Sequence, residues 1–229
     1  MSKKFAFSLC LVALALCALP AMAQSTLYSD LGTGTDVYQS STGWTVAGSG
    51  ILGESFTAAN EFTAGASGSV SQIDIGIGTA AGGNSFFAAL YTASGNDPGT
   101  LIAQWNNLSS TETFGQCCGL VTISGITGVN LTAGTSYFLV LGPTNLTSDT
   151  FDAWNWNSTG ATGTDLYATS GCQNGTGNGC AWNSNGTQTI GAFDVLGSSG
   201  ATVPEPSSLL LLGTGLVGAF GTIRRKLTR

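Results

Sequence analysis

Ile73, Ile75 and Ile77 alternate with Gln72, Asp74 and Gly76, the period-two pattern of a half-buried strand. Residues 86–92 and 101–105 are short apolar-rich runs, joined through Asn96-Asp97-Pro98-Gly99. Pro98 presets φ there and Gly99 supplies positive φ, which predicts a type II turn. Residues 120–123 add another short run. Leu131-Thr132-Ala133-Gly134-Thr135 then reads as a turn into Tyr137-Phe138-Leu139-Val140-Leu141. That last run is apolar on both parities and predicts a central strand buried on both faces. Residues 151–156 and 189–196 complete the set. No segment of this middle region shows the i, i+3, i+4 spacing of a helix. Short strands spaced roughly 8–12 residues apart, with Gly, Asn and Pro between them, predict an all-β body over residues 24–197, a β-sandwich or jelly roll.

The two ends follow other patterns. Lys3 and Lys4 precede an apolar run over residues 5–19, and Ala21-Met22-Ala23 matches a small-x-small cleavage site. Residues 1–23 therefore read as a secretory signal peptide, removed by signal peptidase before Gln24. At the other end, residues 198–206 form a linker holding Pro204, Glu205 and Pro206. Residues 207–223 carry no charge, and the basic tail 224–229 contains Arg224, Arg225, Lys226 and Arg229. Seventeen uncharged residues sit at the lower limit for a transmembrane helix. The basic tail stays cytoplasmic by the positive-inside rule, which places the body outside the inner membrane.

Pro204-Glu205-Pro206, the apolar segment and the terminal basic cluster together resemble the PEP-CTERM sorting signal of Gram-negative bacteria. The resemblance implies that exosortase, a membrane protease, recognises and removes the tail. The protein would then pass from an inner-membrane-anchored precursor to the cell surface or extracellular matrix. A second resemblance runs through Glu54-Ser55-Phe56-Thr57, the strand around Ile73, Ala89-Leu90-Tyr91, Pro98-Gly99-Thr100 and residues 131–140. This order is similar to the choice-of-anchor (type R) exported modules. It implies a β-sandwich ectodomain with no assigned activity and supplies no site.

Charge narrows the chemistry sharply. All six basic residues lie at positions 3, 4, 224, 225, 226 and 229, and the chain has no His. The body holds eleven acids, the chain's twelve less Glu205, and no base. A nucleic-acid partner needs a basic patch and is excluded. Ser-His-Asp and Cys-His catalysis, His-ligated zinc, a lysine Schiff base and the P-loop lysine are excluded as well. Two carboxylates alone can run a glycosidase, but nothing in their spacing selects a pair. The expectation is a non-enzymatic protein.

Four cysteines remain after the signal: Cys117, Cys118, Cys172 and Cys180, an even number suited to an oxidising compartment. Three pairings are open. Loop closure favours Cys172–Cys180, leaving Cys117–Cys118 as a vicinal bridge. The spacing does not suit a zinc knuckle.

If residues 151–157 form a strand, Asp152, Trp154 and Trp156 share a face. Facing outward, they would form a platform for an extracellular polysaccharide, with Tyr167 and Trp182 joining from nearby loops. Facing inward, the indoles would pack against an opposing sheet. Asp30, Asp36, Asp149, Asp152 and Asp165 offer hard oxygen ligands for a structural calcium ion, without EF-hand spacing. No other cofactor is expected. Six Asn-x-Ser/Thr sequons, at Asn107, Asn130, Asn145, Asn157, Asn174 and Asn185, are candidate glycan acceptors. Mutual repulsion among uncompensated carboxylates is expected to raise their pKa values, so the fold should gain stability from pH 7 toward pH 5.

Overall fold

The computed structural model describes residues 24–169 and 180–199. The expected signal peptide, the Pro204-Glu205-Pro206 motif, the segment 207–223, the basic tail and Cys172 lie outside the described residues. The described chain is built almost wholly of strands, with one helical turn, α1 (Ser49–Leu52).

The strands form three sheets. In the first, β1 (Ser25–Ser29) pairs β15 (Phe193–Ser199), which pairs β4 (Gly68–Ile75); β4 also pairs β9 (Val121–Ser124) and β10 (Asn130–Leu131). The second has six strands in the order β14 (Asn183–Thr189), β13 (Thr162–Ala168), β3 (Thr57–Thr63), β11 (Ser136–Pro143), β6 (Ser85–Ser94) and β7 (Asp97–Ser109). The third runs β2 (Tyr38–Ala47), β12 (Thr150–Asn157), β5 (Ile77–Gly82) and β8 (Glu112–Thr113). Only β5 and β8 pair in parallel among the described strand pairs.

All three sheets contribute to one core, as a sandwich-like all-β body requires. The first sheet supplies Ile73, Ile75, Phe193 and Val195; the second Phe62, Phe86, Leu90 and Leu139; the third Val46, Ile77 and Trp154. Alternation explains the second sheet. On β11, Tyr137, Leu139 and Leu141 join that core, whereas Phe138 and Val140 point to the other face and pack with Phe87, Tyr91 and Leu166. The strand is buried on both faces, as its uninterrupted apolar run requires.

Three expected boundaries move. The Ile73–Ile75–Ile77 alternation is not one strand, because the chain passes from β4 to β5 at Gly76. A Cβ at Gly76 would stand 2.8 Å from Tyr38 Cδ1 and 3.2 Å from Ala192 Cβ, so only glycine lets the chain change sheets there. The β6–β7 turn lies at Gly95-Asn96, where Ser94 faces Asp97 and Gly95 has φ +65°. A two-residue hairpin loop matches strand twist better than the expected type II turn at residues 96–99. Pro98 sits instead within β7, which ends its sheet and tolerates a missing donor. Residues 189–196 divide between β14 and β15. The turn before β11 does form: Thr135 N–H donates to Thr132 O at 3.1 Å, with Gly134 at φ +74°.

Candidate functional site

The outward platform expected from Asp152, Trp154 and Trp156 is not present. Asp152 and Trp154 are both 0% exposed. Strand β12 is the middle of its sheet, between β2 and β5, and its Trp154 face turns into the core. Trp154 packs at a tilt on Phe193, ring centroids 5.8 Å apart, and donates from Nε1 to Ala192 O at 3.2 Å. Burial of so large an apolar group outweighs any surface role. Trp156 is half-buried, and its ring lies 5.4 Å from that of Trp44. Trp182 packs against the opposite face of the six-stranded sheet, so it does not join Tyr167.

A concave site does occur at the open edge of the core, between β2 and the β3–β13–β14 end of the six-stranded sheet. Its cavity volume is about 200 Å³, and its lining includes Trp44, Phe56, Asp165, Tyr167 and Asn185. Each side chain has a local reason to be there. Trp44 on β2 is held by its Nε1 donating to Thr189 O at 3.0 Å, and by Trp156 behind it. Asp165 and Tyr167 are two apart on β13 and therefore share a face, while Leu166 between them points to the far side. The register of β13 on β14 slips here: Asp165 faces Gly186, Leu166 faces Ser184, and Asn185 is the extra residue. Gly186, at φ +76°, permits that bulge. The bulge carries the Asn185 amide to Asp165.

The Asp165 carboxyl is 1% exposed. Asn60 Nδ2 donates to its Oδ1 and Asn185 Nδ2 to its Oδ2, each at 2.5 Å. Asn60 is itself fixed by Gly191 N–H, which donates to its Oδ1 at 2.7 Å. Burial pushes the Asp165 pKa up to about 6, against the pull of the two amides. The result is a rigid aromatic recess with a prearranged carboxyl–amide end.

The other candidate residues are dispersed. Asp30 is buried where β1 meets β15, accepting from Phe193 N–H at 2.8 Å and from the Tyr28 hydroxyl at 3.1 Å. Among the described residues, no three or more acids and cysteines are gathered as a metal site. Cys117 and Cys118 are bridged to each other across a cis peptide. Cys180 is disulfide-bonded. Asn157 is not a glycan acceptor: it is 0% exposed, and its Nδ2 donates to Ala161 O and Ile190 O, each at 2.8 Å.

What the fold and recess define is a class: an all-β, sandwich-like body that carries an aromatic recess. The particular assignment comes from the C-terminus. Residues 202–226 match the PEP-CTERM protein-sorting motif. The motif implies an exported, membrane-anchored bacterial precursor processed by exosortase. No curated protein matches the chain. Among the described residues no helix is long and apolar enough to cross a membrane; the segment 207–223 is not among them.

Proposed function

We propose that this chain is a non-enzymatic cell-surface or extracellular-matrix protein of a Gram-negative bacterium, exported by a signal peptide and released from its C-terminal anchor by exosortase. The observation that carries the reading is the sorting-motif match at residues 202–226, which contains Pro204, Glu205 and Pro206. Two further features support it. The body between Lys4 and Arg224 has no Lys, Arg or His, so its acids repel anionic surfaces. Its all-β construction also suits the resemblance to choice-of-anchor ectodomains.

In this reading signal peptidase and exosortase are processing enzymes, and residues 207–223 hold the precursor in the inner membrane only until cleavage. The cysteines are oxidised after export, Cys172 with Cys180 and Cys117 with Cys118. The test is fractionation with terminal mass analysis in cells with and without exosortase. The expected wild-type product ends upstream of the apolar segment, and the exosortase-deficient strain retains a C-terminus at Arg229 in the membrane. An intact Arg229 terminus on the wild-type surface protein refutes sorting.

A further inference from the structure

We propose that the recess between Trp44, Tyr167 and Asp165 binds a single uncharged sugar residue of a polysaccharide. The inference rests on the β body alone and does not depend on C-terminal processing.

The walls come first. Trp44, Phe56 and Tyr167 are half-buried and line the recess. Trp44 is held by the bond from its Nε1 to Thr189 O and by contact with the Trp156 ring, so ordering it on binding costs little entropy. Aromatic faces of this kind take up the apolar C–H faces of a pyranose ring. A volume of about 200 Å³ is below the 300–1,000 Å³ of drug-sized pockets and suits one ring, with the rest of the chain in solvent.

The polar end selects hydroxyl groups. A carboxylate offers about four lone-pair sites. Asn60 and Asn185 occupy one on each oxygen of Asp165 and fix the group in place. Asp165, 1% exposed, thereby anchors the exposed Asn185, whose amide oxygen accepts from a ligand O–H. Asn185 is exposed, and its amide comes to the recess on the bulge at Gly186. Support of Asn185 by Asp165, of Asp165 by Asn60, and of Asn60 by the Gly191 backbone, is the layered arrangement that a precise site needs.

Charge sets the class of sugar. With no Lys, Arg or His in the body, nothing balances a uronate, sulfate or phosphate, and Asp165 opposes each of them. An organic cation would suit aromatics and a carboxylate in principle. Here the carboxylate is already neutralised in part by two amide donors and sits fully buried beneath them, which favours a hydroxyl over an ammonium.

The test uses the purified exported protein. Neutral oligosaccharides of glucose, galactose and mannose are titrated with tryptophan fluorescence and calorimetry, beside polygalacturonate and tetramethylammonium. At least one neutral series is expected to bind. Tyr167→Ala, at a half-buried position, should weaken it at least tenfold with a melting temperature near wild type; Asn185→Ala should weaken it as much while melting lower, because the buried Asp165 Oδ2 loses its amide donor. Trp44→Phe should retain partial binding. Failure of every neutral series, unchanged binding in both alanine variants, or preference for polygalacturonate or tetramethylammonium overturns the proposal. None of these outcomes bears on where the C-terminus is cut.

Discussion

Asp152 provides the sharpest test of the physical reading. Its side chain is 0% exposed, and neither oxygen has a hydrogen-bond partner. The Thr79 hydroxyl favours the ionised form, but it does not reach hydrogen-bond geometry. Burial therefore dominates and pushes the pKa from 3.8 up to about 7. A folded pKa above the unfolded one means that the native state binds the proton more tightly. The stability this contributes is complete below pH 3.8 and is lost as pH rises through about 7. A shift of this size corresponds to roughly 4 kcal/mol over the whole range, of which roughly 2–3 kcal/mol falls between pH 8 and pH 5. Asp152→Asn keeps the shape and removes the titration. The stability gap between variant and wild type should thus move by roughly 2–3 kcal/mol toward the variant from pH 5 to pH 8. In melting temperature that is roughly 5–10 °C for a domain of this size. Scanning calorimetry of both proteins at pH 5, 6.5 and 8 in chelator measures it. Parallel curves across that interval refute the claim that Asp152 is protonated in the fold.

Three other results are expected. The wild type should melt higher at pH 5 than at pH 8, because burial also raises Asp30 to about 8, Asp194 to about 7 and Asp165 to about 6; a fall toward pH 5 contradicts this. Gly191→Ala should lower stability by roughly 1–3 kcal/mol, since its Cβ would overlap Cε2, Cδ2 and Nε1 of the fully buried Trp154 indole. Unchanged urea denaturation of that variant would show that the indole has room to retreat. Peptide mapping without reduction should yield Cys117 joined to Cys118 and Cys172 joined to Cys180, and a fragment crossing the two clusters overturns that connectivity.

Some of this architecture was legible in the residues and some was not, for identifiable reasons. Strand β11 announces itself because an apolar run of both parities has no other comfortable place. Strand β14 does not: Asn183-Ser184-Asn185-Gly186-Thr187-Gln188-Thr189 is an exposed edge, so burial imposes no pattern on it. The direction of β12 was ambiguous, since alternation puts Asp152 and Trp154 on one face without saying which way that face turns. The recess was missed because Trp44, Phe56, Asp165 and Asn185 come from four separate stretches of chain. One signal was available. Asp165 and Tyr167 flank Leu166 in a strand-like stretch, and a carboxylate and an aromatic ring on one strand face are a usable pair. The expected rise in carboxylate pKa has the right sign but a different leading cause. For Asp30, Asp152, Asp165 and Asp194 burial comes first, and repulsion enters only where Asp74 faces Asp194 and Asp194 nears Asp30.

That change of cause follows from the chain's composition. In a body without Lys, Arg or His, the side-chain and backbone donors open to an inward-facing acid are neutral ones, and Asp152 goes without even these. Asp165 uses the amides of Asn60 and Asn185, and Asp74 uses Gln72 Nε2 at 2.6 Å and the Thr122 hydroxyl at 2.5 Å. Asp30 uses a backbone N–H and the Tyr28 hydroxyl. Neutral donors stabilise a carboxylate less than a paired cation does, so at Asp30 and Asp165 burial prevails and raises the pKa to about 8 and about 6. Salt has no internal ion pairs to screen in such a body, while repulsion among its exposed acids is screened. Stability should accordingly respond strongly to pH and, with salt, only upward. A melting temperature that fell on adding sodium chloride at pH 7 would show that attractive charge pairs, which this sequence does not supply, were holding the fold.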